Sequence, residues 1–306
     1  MPASTAVGSA VLIGVMTAVQ SRINGVLGVE LNNGIFAGLV SFGVGLLALM
    51  IVASLLPGAR RGVATLWSGI RERTIPAWML LGGLCGAVTV STQGIVAGSL
   101  GVALFTVGAV AGQTIHGLLL DRIGFGPAGV VAVTPGRVWG GLLVLVAAAI
   151  SLSGDVLSQA PLWMLLLPFA AGIGIAWQSG ANGRLAQRVK SPIAATFTSF
   201  VVGAAALALA SALSILFTGA PARLPSDPWL YLGGLLGGAY ILLGTFIVAR
   251  IGVLLLGLGS VLGQLVTSVV IDVIWPTAAG PALWQTAAMV AVALGGVFVA
   301  VPRRRR

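Results

Sequence analysis

The sequence predicts an all-α membrane protein of ten transmembrane helices arranged as two inverted five-helix repeats. Three observations carry that expectation: an apolar composition, a series of long apolar runs, and a polar pattern that occurs twice at constant spacing. Of 306 residues, 58% are hydrophobic and only 7% are charged, and the mean hydropathy is +1.09. A soluble domain is about a quarter charged. A membrane span needs about 20 apolar residues, because the hydrocarbon core is about 30 Å thick and a helix rises 1.5 Å per residue. Polar and Pro/Gly breaks divide the chain into ten such runs: 7–28, 34–56, 76–96, 99–121, 137–153, 161–187, 192–217, 228–249, 252–275 and 281–301. The runs are continuously apolar rather than alternating, which argues against a β-barrel.

The repeat is visible in the polar residues within those runs. Gln20 and Asn24 close the first span, four apart and so on one helical face, and return as Gln178 and Asn182. Ser41-Phe42 and Gly45 in the second span return as Ser199-Phe200 and Gly203, again 158 positions later. In the third span Leu81-Gly82-Gly83-Leu84 returns as Leu232-Gly233-Gly234-Leu235, now 151 positions later. The fourth span follows at that same offset, with Gly108, Gly112, Gln113 and Asp121 matched by Gly259, Gly263, Gln264 and Asp272. A loop about seven residues shorter between spans seven and eight than between spans two and three explains the change of offset. The halves are expected at 1–155 and 156–306, the second ending in a basic tail. An odd number of spans per unit inverts the second unit, the arrangement of many alternating-access transporters.

The formal charge of +10 follows from topology. With both termini in the cytoplasm, fourteen basic residues fall inside and only Arg22 and Arg223 outside, as the positive-inside rule requires. The closing Arg303 to Arg306 can also attract anionic lipid. The single Cys85 leaves no disulfide framework and no thiol pair for a metal. The first apolar run has no basic segment ahead of it, so the first helix is expected to remain rather than be cleaved as a signal peptide.

On these residues, namely Gln20, Asn24, Ser41-Phe42, Gly45, their second copies, and the Gly112-Gln113 and Gly263-Gln264 elements, the chain resembles the drug/metabolite transporter superfamily. Within it, the resemblance is to the YdcZ-like branch of bacterial inner-membrane exporters, and it covers all ten spans. The resemblance implies ten helices with both termini cytoplasmic and export of a small metabolite or drug. One departure is clear. The small multidrug members of the superfamily couple protons through a carboxylate in the first helix, and span one here has no Asp or Glu in its body.

Each polar group in the spans has a packing role and a functional role to be weighed. Gln20, Asn24, Gln178 and Asn182 can bond across helix interfaces for about 0.6–2 kcal/mol, or line a water-filled cavity and contact a solute. Trp177 can wall such a pocket, and Gln113 and Gln264 stand near mid-membrane. The glycines four apart read as close-approach positions for packed helices. His116, the only histidine, has a pKa range suited to proton relay. Asp121 and Asp272 end their helices, where the macrodipole disfavours an anion. The first is expected to pair with Arg122 or another basic residue, the second to bind a cation or proton. No HExxH, Walker-type loop, GxSxG elbow or Cys/His cluster is present, so an enzyme is not expected, nor is a cofactor or metal. The partners expected are a small-molecule solute, the bilayer, and a second copy of the chain in a homodimer. The competing expectation is a membrane scaffold or accessory subunit that carries no solute.

Overall fold

The computed structural model describes residues 3–98, 102–151, 162–221 and 223–275. They are helical throughout, with no strand among them. The helices are α1 (Ala3–Glu30), α2 (Gly34–Leu55), α3 (Pro57–Arg71), α4 (Gly82–Thr92), α5 (Val102–Ile123), α6 (Pro135–Ser151), α7 (Leu162–Val189), α8 (Pro192–Thr218) and α9 (Leu232–Ile274). Among the described residues, five stretches are long and apolar enough to cross a membrane: 5–30, 34–55, 77–97, 192–217 and 228–271. The tenth expected span and the arginine tail lie outside the described residues.

The long α9 is two helices in one. Gly252 adopts φ 79° and ψ 173°, which is not helical and which only glycine adopts without strain. The break splits α9 into halves of about twenty residues, each matched to the hydrocarbon thickness, and it falls in the gap expected between 249 and 252. Residues Gln93–Ala97 continue α4 as a π-helical turn, the kind of wide turn that recurs at functional sites.

The segment 57–76, read from sequence as a polar loop, instead begins with an amphipathic helix. Proline stands at the first turn of α3, where its missing N–H costs nothing. Ala59, Gly62, Leu66 and Gly69 are buried at three- and four-residue spacing, while Arg60, Arg61 and Trp67 face outward. Such a helix suits the membrane interface.

The repeated motifs meet across the halves. A Cβ on Gly83 would overlap the backbone oxygen of Ser199, and one on Gly234 would overlap that of Ser41. A Cβ on Gly82 would stand 2.6 Å from Asn182 Oδ1, and one on Gly233 would overlap Asn24 Oδ1. So α4 docks on α7 and α8, and the first half of α9 docks on α1 and α2. Phe42 and Phe200 stack with centroids 4.7 Å apart, each against the other's partner glycine, Gly203 and Gly45. Gly112 and Gly263 repeat the scheme, closing onto Phe169 O and Val11 O. Each contact occurs twice, at the offsets read from the sequence. The glycines singled out there at Gly112, Gly259 and Gly263 are close-approach positions, as expected.

Candidate functional site

Gln20, Asn24 and Gln93 in the first half make helix-to-helix bonds through their amide N–H groups, while Gln20 Oε1 and Asn24 Oδ1 have no partner among the described residues. Gln20 is buried and donates through Nε2 to the carbonyl of Gly233 at 3.0 Å. Asn24 donates through Nδ2 to Gln93 Oε1 at 2.8 Å, and Gln93 Nε2 donates to Ser21 Oγ at 3.0 Å. Asn24 and Gln93 are wholly buried. Gln93 was not singled out in the sequence, because it has no glutamine at the repeat offset. We expect Gln93→Leu to cost about 1–3 kcal/mol, since Asn24 Nδ2 would be left buried without a partner. Unfolding of the purified protein in mixed micelles measures this.

A second group of amides, drawn from both halves, gathers around a cavity. Gln178, Asn182, Gln113 and Gln264 converge on one internal cavity of about 30 Å³ between α1, α5, α7 and both halves of α9. That is room for one or two water molecules. Asn182 Oδ1 accepts from Ser199 Oγ at 2.7 Å, and Gln264 Nε2 donates to Ser260 Oγ at 2.9 Å. Gln178 Nε2, Asn182 Nδ2 and Gln113 Oε1 are buried with no hydrogen-bond partner among the described residues. Thr17, Tyr240 and Thr245 add hydroxyls to a wall otherwise made largely of aliphatic side chains. Unpaired amide groups on residues that line an internal space are what a site for a polar neutral molecule requires.

Trp177 stands away from this cavity. It packs on Phe125, whose ring lies 5.6 Å away, and Phe125 in turn meets Trp78 at 5.0 Å. His116 is half-buried and does not line the cavity. The side chain of Asp272 lies outside those described.

Asp121 resolves the anomaly of an anion at a helix C-terminus. It closes its own helix but caps another: Oδ1 accepts from Val253 N at 2.7 Å and Oδ2 from Leu254 N at 3.2 Å. These are the first N–H groups after the Gly252 break, so the carboxylate sits at the positive end of the second half of α9. Its ion-pair partner is Arg137 at 3.0 Å, not Arg122. Arg137 also reaches the carbonyl of Ile251 on the other side of the break, at 3.4 Å. This is the one ion pair among the described residues, and no cluster of metal-ligating side chains occurs among them. An open groove of about 430 Å³, lined by Arg60, Trp67 and Phe197 among others, shares no lining residue with the amide cavity.

A helical, strongly apolar chain with paired helix junctions and a polar cavity between them belongs to the class of integral membrane transport proteins. The family model described as "Putative inner membrane exporter, YdcZ" matches residues 5–150 and 163–299. The chain belongs to this YdcZ family of the drug/metabolite transporters. It is therefore an inner-membrane protein of an exporter family, a transporter rather than an enzyme by family. No curated protein matches it.

Proposed function

We propose that the protein is a secondary transporter that exports a small uncharged or amphipathic molecule across the bacterial inner membrane by alternating access. Its ten spans form two inverted five-helix repeats, 1–155 and 156–306, with both termini cytoplasmic. One observation carries this reading: the motif contacts are made twice at the repeat offsets, and amides of both halves line a common cavity. A pocket that holds a metabolite encloses about 300–1,000 Å³. A space of about 30 Å³ fits a closed conformation, which opens when one of the paired junctions separates. Gln20/Asn24 and Gln178/Asn182 stand at the two junctions and serve as opposed half-gates. His116, one turn from Gln113, is the candidate for proton coupling, and Asp272 for binding a cation or proton. The basic residues of α3 and of the tail are suited to anionic lipid.

The test is current across a solid-supported membrane carrying proteoliposomes, screened against a metabolite and drug panel. We expect a solute-dependent current in the wild type and none in Gln178→Leu/Gln264→Leu. The unfolding temperature should fall only modestly, because Gln178 Nε2 has no partner to lose and Gln264 gives up one bond, to Ser260 Oγ in its own helix. An absence of current in the wild type, with no thermal stabilisation by any compound, would favour the scaffold.

A further inference from the structure

We propose that the solute site lies to one side of the pseudo-two-fold relating the halves, in the space that Gly244 leaves where Gln93 fills the mirror position. The site takes an uncharged molecule that presents neighbouring hydrogen-bond acceptors together with a donor. This deepens the transporter reading and rests on it.

The repeat offsets relate Ser21 to Ser179, Asn24 to Asn182 and Gln93 to Gly244. In the first half the Gln93 side chain lies between Ser21 and Asn24 and bonds both. In the second half the serine keeps the same bond to its own helix, Ser179 Oγ to Ile175 O, as Ser21 Oγ does to Thr17 O. What is missing is the side chain at 244, and the cavity occupies that place, with Asn182 Nδ2 and Gln178 Nε2 unpaired. Phe105, wholly buried, also fills the first half where the smaller Leu256 walls the cavity.

Packing does not account for Gly244. A Cβ there would meet only Ile13 at 3.7 Å and Leu256 at 3.9 Å, ordinary contact distances. Gly83, Gly234 and Gly263 differ, since a Cβ on any of them would overlap a neighbouring backbone oxygen. A glycine inside a helix is destabilising relative to alanine, because it loses more backbone freedom on folding. At Gly244 no close approach offsets that cost, so the vacant volume is what the residue supplies.

The chemistry of the ligand follows from the lining. Gln178 Nε2 and Asn182 Nδ2 offer N–H donors, and Gln113 Oε1 offers an acceptor. No Asp, Glu, Lys, Arg or His lines the space. An ion would enter a low-dielectric site without a counter-charge, a heavy cost. A primary amide or a hydroxyl compound, which joins acceptors to a donor, would satisfy all three amide groups.

The test starts from Cys85→Ala, which removes the only thiol. Gly244→Cys and Gln93→Cys are then treated in proteoliposomes with methyl methanethiosulfonate, a small neutral reagent, and read by intact mass. Gly244→Cys should react about tenfold faster, because reactivity follows access; equal rates would overturn the one-sided site. If Gln93→Cys folds poorly, Ile241→Cys against Val90→Cys makes the same comparison at the next matched pair. Acetamide and N-acetylglycinamide should slow labelling of Gly244→Cys, whereas acetate and methylammonium should not. Equal protection by the ions, or protection by none of the four, would overturn the ligand class. Gly244→Gln should abolish any current seen in the wild type. A current that survives it sinks the one-sided site and leaves the transporter reading standing. A silent wild type counts against that reading, while the labelling still decides the site.

Discussion

Arg137→Met should lower stability by about 3–5 kcal/mol, the usual cost of removing one member of a buried ion pair. Both side chains are almost fully buried, at 7% and 2% exposure, so neither charge has water to fall back on. The loss should be larger than that of Asp121→Asn, which keeps an acceptor for Val253 N–H and removes the charge. The double variant should recover most of the loss, because replacing both members of a buried pair is often nearly neutral. A double-mutant cycle measured by unfolding in mixed micelles gives the coupling directly. Additive costs would mean that the pair does not join the two sides of the Gly252 break.

Gly234→Ala and Gly83→Ala should each cost about 1–3 kcal/mol or more, the range for overpacking a filled interface. In both cases the added methyl would overlap a backbone oxygen, Ser41 O and Ser199 O respectively. Backbone cannot turn aside as a side chain can, so the helices must separate. The informative result is equality. Two sites 151 positions apart should lose similar stability if the two junctions are built alike. A marked inequality would show that the halves are not mechanically equivalent. Gly244→Ala serves as the control, with little or no loss.

Much of this plan was legible in the amino-acid order. Apolar length alone placed the helices, because a bilayer accepts only closed backbone hydrogen bonding over about 20 residues. The twice-written Gln-Asn, Ser-Phe and Gly-Gly elements marked the residues that meet, because the contacts they make depend on small volume and amide chemistry, which sequence records. The amphipathic α3 was also there to be read, in the spacing of Ala59, Gly62, Leu66 and Gly69, but the arginines between them made the segment look like a loop.

Other features were decided only by the tertiary structure. Sequence could not say that Asp121 caps a helix remote from its own, or that its partner is Arg137 rather than the adjacent Arg122, because a charge finds its partner through space. Nor could it say that Asn24 Nδ2 finds a partner in Gln93 whereas Asn182 Nδ2 finds none. Gln93 carries no repeat signal in the sequence, because its counterpart at the repeat offset is Gly244. The sequence by itself determined the class, the helices and the repeated motifs, because these rest on hydropathy and spacing, while which motifs meet across the halves was decided by packing. The tertiary structure decided where the polar space lies, because a cavity is set by the side chain that is absent, and only packing shows whether that volume is filled.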